Sequence, residues 1–131
     1  MNALLDTHVL LWLLDDSPQL GEHTRDWLAE RATVHVSAAS VWEVAIKAEL
    51  GKLSVPEDLV ARVEAAGLEW LAVSPQHAWA VRSVSGLPHR DPFDRMLLAQ
   101  AATEGLTLVT ADALILGAEI APAVRIRDAR L

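Results

Sequence analysis

A chain of 131 residues with 52% apolar and 22% charged side chains has the size and composition of one globular domain, which excludes a disordered tail or a fibre. It contains no cysteine, so disulfide frameworks, thiolate nucleophiles and cysteine-bound metal centres are excluded as well. Eighteen acidic against eleven basic side chains leave a net charge of −7, a field that repels nucleic acid unless something locally reverses its sign. Met1-Asn2 supplies no basic run and Asp6 interrupts the apolar stretch behind it, so no signal peptide is expected. No stretch approaches the ~18–20 apolar residues of a membrane helix. The expectation is a single cytoplasmic domain spanning residues 1–131.

Strand and helix signals alternate along the chain. Residues 2–6 read as a short buried strand and 8–14 as a helix. Ser17-Pro18 then has the cap-plus-proline opening of a second helix reaching about Arg31. Thr33-Val34-His35-Val36 reads as a strand. Ser37 to Leu50 is a strong helix with Gly51 as its stop, and Pro56 to Ala66 is another, closed by Gly67. A strand follows at 68–73, and Ser74-Pro75 opens a helix to about Val84. After a loop at 85–90, Asp91-Pro92 starts a long helix to Glu104, ended by Gly105. The run at 106–110 is an apolar, β-branched strand, and 124–127 is a last one. Strands that hardly alternate, separated by helices, predict an α/β sandwich: a parallel sheet of about five strands covered on both faces.

In such open sheets ligands bind outside the carboxyl ends of the strands. Asp6 ends the first strand, and Asp112 lies two residues beyond Thr110 at the end of the 106–110 strand. Glu43 falls in the first two turns of the helix after the second strand, and Asp94 one turn into the helix begun by Asp91-Pro92. Each has a plainer explanation. Asp91 is a natural N-cap, Asp94 complements a helix N-terminus, Ser40 and Glu43 have capping-box spacing, and Asp112 suits a turn. Asp6 resists dismissal, because it interrupts an apolar segment where an unpaired charge is costly. Taken together, their expected convergence favours a site.

Clustered carboxylates need a counter-charge. Oxygen-only donors without cysteine or a patterned histidine pair point to Mg²⁺, with Mn²⁺ as an alternative, rather than zinc. Such a cation supplies the sign reversal, binds a phosphodiester oxygen and activates water, so hydrolysis of a nucleic-acid backbone is the expected chemistry. One metal or two is left open.

The chain resembles PIN-domain ribonucleases, and more narrowly VapC toxins of bacterial type II toxin–antitoxin systems. The matching blocks are Leu4-Leu5-Asp6-Thr7-His8-Val9-Leu10-Leu11-Trp12, then residues 37–47 (SAASVWEVAIK) continuing to Gly51-Lys52-Leu53, then residues 89–101 (HRDPFDRMLLAQA), then Leu108-Val109-Thr110-Ala111-Asp112. They occur in the family's order and span nearly the whole chain. The resemblance implies a PIN-like α/β/α sandwich, Mg²⁺-dependent endoribonuclease activity, homodimerisation and a cognate antitoxin. It makes Asp6, Glu43, Asp94 and Asp112 the four acidic catalytic and metal-binding positions. Asp91 is the alternative to Asp94. Asp6 and Asp94 are the first choices for direct ligands, with Glu43 and Asp112 binding directly or through water. Thr7 and Thr110 flank carboxylates, either orienting them or serving as ordinary cap and strand-end residues. Arg95 is a candidate phosphate contact, and His8, His89 and Arg90 are candidates to line the groove.

Trp12, Trp27, Trp42, Trp70 and Trp79 all sit among apolar neighbours and are expected in the core. The first three helices carry more Leu, Val and Trp than one buried stripe needs, which predicts an apolar surface for a dimer or an antitoxin segment. A basic side chain from that partner would suit the acidic pocket. A phosphoacceptor receiver is the rival of another class. It is disfavoured because Asp6 is followed by Thr7-His8 rather than a second acid, and lysine occurs only at 47 and 52. A catalytically silent PIN fold and a phosphohydrolase of small esters are the remaining alternatives.

Overall fold

The run Ala3-Leu4-Leu5 is completely buried, and its period of two splits it between two cores: Ala3 and Leu5 enter one, Leu4 the other. The computed structural model, which describes residues 2–131, makes this segment β1 (Ala3–Leu5), the middle strand of a five-stranded sheet. Its neighbours are β2 (Val34–Ser37) and β4 (Thr107–Thr110), flanked by β3 (Glu69–Leu71) and β5 (Ile126–Asp128). The order is β3-β2-β1-β4-β5 and every pairing is parallel. Leu5 pairs with Val109, so β1 and β4 end level with each other.

The helices are α1 (Thr7–Leu14), α2 (Glu22–Ala29), α3 (Ala38–Glu49), α4 (Leu59–Ala65), α5 (Pro75–Ala80), α6 (Pro92–Glu104) and α7 (Ala113–Leu116). Val9 and Leu10 of α1, Leu28 of α2 and Val63 of α4 pack on one face of the sheet with Leu5 and Val109. Leu97, Leu98 and Ala101 of α6 and Ile115 of α7 pack on the other with Leu4 and Leu108. The result is an α/β/α sandwich. Each fully buried leucine contributes roughly 2 kcal/mol to holding it.

The chain crosses from β1 toward β3 on one side and returns to β4 and β5 on the other. The topological switch point therefore lies between β1 and β4, where a crevice opens beyond the strand ends.

Three elements depart from expectation. The helix predicted from Ser17 begins at Glu22, because residues 17–20 form a turn in which Ser17 Oγ accepts the Gln19 N–H and Ser17 O accepts the Leu20 N–H. The chain then passes so close to its own C-terminal segment that Gly21 N–H bonds Ala129 O, and a Cβ at Gly21 would lie 2.1 Å from the Leu131 backbone oxygen. The helix predicted from Pro56 starts at Leu59 after a turn. Helix α7 was unforeseen; it is a single turn capped by Asp112.

The tryptophans depart further. Trp12 and Trp27 pack against the first core, but Trp42 is 63% exposed, Trp79 68% and Trp70 37%. An apolar hollow of about 530 Å³ runs between α3, α5 and α6, lined by Trp42, Val73, Val81, Phe93 and Met96. Apolar surface is thus present on α3, as expected, but it continues onto α5 and α6.

The loop before α6 is tied down by an antiparallel bridge in which Ser85 and Ala121 exchange both backbone hydrogen bonds. Gly86 beside it has φ of +96°, and a Cβ there would meet Glu119 O at 2.0 Å. Gly86→Ala should therefore destabilise the fold by about 3 kcal/mol, read from the urea midpoint at constant slope. A change inside about 0.5 kcal/mol would show that the loop yields freely.

Candidate metal centre

The backbone hydrogen bonding of β1 continues one residue past the strand, with Asp6 N–H donating to Val109 O at 2.9 Å. That places the Asp6 carboxylate at the switch point as the N-cap of α1. Its Oδ1 accepts the Thr7 N–H at 2.7 Å and its Oδ2 accepts the Thr110 hydroxyl at 2.6 Å. Burial pushes the Asp6 carboxyl above the ordinary range; the Thr110 and Thr7 donors oppose that, and the Glu43 charge adds to it. Thr110 Oγ1 also accepts the Asp112 N–H at 3.0 Å, which steers the turn so that Asp112 caps α7 through Leu114 N–H. One fully buried hydroxyl thus positions two acids.

Glu43 is held from the opposite side. Its helix is capped by Ser37, whose Oγ accepts the Ala39 N–H, so Ser40 and Glu43 do not form the capping box that their spacing suggests. Instead Thr7 donates to Glu43 Oε1 at 2.6 Å, with Ser40 Oγ 3.1 Å from the same hydroxyl. Lys47 Nζ meets Glu43 Oε2 at 2.5 Å. This contact holds the Lys47 ammonium above its usual pKa range.

At the third corner Asp91 caps α6, its Oδ1 accepting the N–H groups of Phe93 and Asp94. His89 Nδ1 accepts the Asp91 N–H, which leaves the ring proton on Nε2, 3.5 Å from Asp94 Oδ2. Ligand atoms of His89, Asp94 and Asp112 lie within 4.8 Å of one another, a spacing compatible with a shared ion. With Nδ1 engaged and Nε2 protonated, His89 as arranged supports Asp94 rather than offering a lone pair.

Asp6, Glu43, Asp91, Asp94 and Asp112 all line one pocket of about 230 Å³, with room for several water-sized groups. Asp91 and Asp94, alternatives in the sequence, both face it. Thr7 also lines it, whereas Thr110 works from behind through Asp6 and Asp112. His8 and Trp12 form part of the wall. Arg95 is not part of the lining; its guanidinium donates to Val81 O at 2.9 Å. Arg90 is exposed and outside the lining.

Two lining residues escaped the sequence. Lys47 was readable, since Glu43 and Lys47 have the i,i+4 spacing of a helical ion pair. Arg130 carried no local signal. It reaches the pocket because the C-terminal segment folds back, and it donates to Ala111 O at 2.9 Å.

Burial, followed by the charges of Asp6, Asp91, Asp112 and Glu43, raises the Asp94 pKa to about 8. At neutral pH a proton on Asp94 therefore does part of the work of a missing counter-charge. An all-oxygen donor set this rich in carboxylate, with too few cations beside it, fits a hard divalent ion such as Mg²⁺ or Mn²⁺.

Comparison with known proteins follows the same line. A family model described as PIN domain matches residues 3–116. The fold is similar to the DNA-bound VapBC structure from Salmonella typhimurium, with 26% identity, a TM-score of 0.69 and 98% coverage of each chain. It is also similar to VapBC2 from Rickettsia felis bound to a promoter DNA fragment, at 17% identity, TM-score 0.69, and 97% and 98% coverage of the two chains. FitAcB from Neisseria gonorrhoeae matches at 24% identity, TM-score 0.61, and 98% and 97% coverage. No curated protein gives a significant match.

An unfolded Asp ionises near 3.8 and folded Asp94 near about 8, so between these values the folded state holds a proton that the unfolded state has lost. Stability without metal should accordingly fall as pH rises across that window, the reverse of the usual carboxylate behaviour. Asp94→Asn, neutral throughout, should flatten the slope and raise the unfolding midpoint at pH 8 in EDTA by about 5 °C. An unaltered slope would mean that Asp94 ionises normally.

Proposed function

Because this chain belongs to the PIN domain family, we propose that it is a Mg²⁺-dependent endoribonuclease of the VapC type, the toxin of a toxin–antitoxin pair. PIN domains are generally nucleases. The observation that carries the reading is the meeting of Asp6, Glu43, Asp94 and Asp112, from four separate segments, in one pocket at the switch point.

Asp94, Asp112 and Asp6 would hold the ion, with Glu43 beside them. When bound, the ion supplies Lewis acidity toward a phosphodiester oxygen and lowers the pKa of an attacking water. The chain's own residues do the rest. Thr7 and Thr110 hold the Glu43 and Asp6 carboxylates in fixed orientations, and His89 steadies Asp94. A carboxylate would accept the proton that the water gives up as its oxygen bonds to phosphorus, and the ester oxygen leaving as the P–O bond breaks would take up a proton from solvent or from a protonated carboxyl. Arg130, an exposed residue of the pocket lining, would meet the RNA backbone.

An antitoxin and a second copy of the chain are the partners in the same reading. A groove of about 290 Å³ lies between α1 and the 53–59 segment, lined by Leu11, Trp12, Leu53, Val55 and Leu59, and it shares His8 and Trp12 with the acidic pocket. An antitoxin segment seated there would bring a basic side chain within reach of the carboxylates, in keeping with the VapBC and FitAcB neighbours. The exposed face around Trp42, Phe93 and Met96 is the surface for a homodimer. Residues 1–131 act as one domain. None of the described helices is long and apolar enough to cross a membrane, and a cytoplasmic site of action follows from the RNA substrate.

Asp6→Asn should lower RNA cleavage on the order of 100-fold or more while the protein stays folded, and EDTA should abolish cleavage by the wild type until Mg²⁺ or Mn²⁺ is restored. Full cleavage by a folded Asp6→Asn protein, or in EDTA, would contradict the mechanism. Light scattering should find a dimer that Trp42→Glu converts to monomer; a monomeric wild type overturns that part.

A further inference from the structure

Lys47 is the lysine that enters the carboxylate pocket. It projects from α3 one turn beyond Glu43, half-buried, with Nζ on Glu43 Oε2. Asp91 and Asp94 are close enough to attract the same ammonium. Glu43 is buried and both its oxygens are committed, Oε1 to the Thr7 hydroxyl and Oε2 to Lys47. A metal ion at Glu43 would have to use the lone pairs left on these two oxygens and sit directly beside the Lys47 ammonium, and the repulsion between the two cations, together with the weakening of their bonds to a shared carboxylate, is unfavourable. Asp94 and Asp112, with ligand atoms within 4.8 Å of each other, carry no such bound cation.

We propose that Lys47 is the pocket's resident cation. It occupies the place beside Glu43 that a second divalent ion would need, so the site loads a single ion on the Asp94–Asp112 side. Glu43 then acts as a positioning residue that anchors Lys47 and Thr7 rather than as a ligand. The proposal rests on the metal-dependent reading above and refines it from one metal or two to one.

Mn²⁺ titration of the EDTA-stripped full chain, following free Mn²⁺ by electron paramagnetic resonance, reads the stoichiometry without any RNA. The wild type should take one ion per chain, Lys47→Met two, and Lys47→Arg one again. Two ions in the wild type, or one in a folded Lys47→Met protein, overturn the proposal. Should Lys47→Met fail to fold, the double variant Glu43→Gln, Lys47→Met removes both charges of the pair together. It should keep one ion with affinity near that of the wild type, whereas a drop of about 10-fold or more, the size expected when a ligand set is disturbed, overturns it. One bound ion without RNA cleavage would remove the nuclease reading and leave the Lys47 role intact. Two bound ions with cleavage would do the reverse, and no bound ion at up to millimolar Mn²⁺ overturns both.

Discussion

Five carboxylates share one pocket at the carboxyl ends of β1 and β4, and like charges held this close stay ionised only where their repulsion is offset. Much of the local structure supplies that offset. Asp6, Asp91 and Asp112 each cap a helix, so the positive ends of α1, α6 and α7 face the pocket. Thr7 and Thr110 donate hydroxyls to Glu43 and Asp6, and Lys47 donates an ammonium to Glu43. Asp94 carries part of what is left over, its carboxyl pushed up to about 8 first by burial and then by the charges of Asp6, Asp91, Asp112 and Glu43. So much carboxylate gathered with so little cationic charge suits a cation, and the proposed nuclease chemistry is the use such a cation fits.

The sheet makes that arrangement possible by leaving the pocket nothing else to do. Both faces of β1 and β4 are filled by two separate apolar cores, so packing is complete without the strand ends. The parallel pairing brings Asp6 and Thr110 level, and reversal of strand order at β1 and β4 keeps crossover helices from covering the gap. Stability and polar chemistry are thereby assigned to different parts of the molecule. The tie at Ser85–Ala121 and the turn at Gly21 then fix the two loops that carry Asp91 and Arg130 to the rim.

Apolar side chains that the two cores do not absorb remain at the surface. Trp42 and Trp79 are mostly exposed, Trp42 meeting Phe93 edge-on at 5.2 Å and Trp79 lying under the Arg82 guanidinium at 4.4 Å. Trp12 sits where the α1 groove and the acidic pocket meet. Contact surface and carboxylates are thus adjacent, which suits a partner that both covers the molecule and reaches its charged centre.

The sequence by itself determined the alternation of strands and helices, the parallel sheet, the caps at Ser74 and Asp91, and the acids at strand ends. These are local properties, written in periodicity and in side chains that bond their own backbone within a few residues. Tertiary structure alone decided the late start of α2, because Gly21 matters only where the C-terminal segment passes over it. It decided which tryptophans stay outside, because an apolar helix position reveals that it is apolar and not which neighbour reaches it. It also decided that Glu43 turns to Thr7 and that Arg130 joins the pocket. Those outcomes depend on contacts between residues far apart in the chain, set by the closing of two cores rather than by any local pattern.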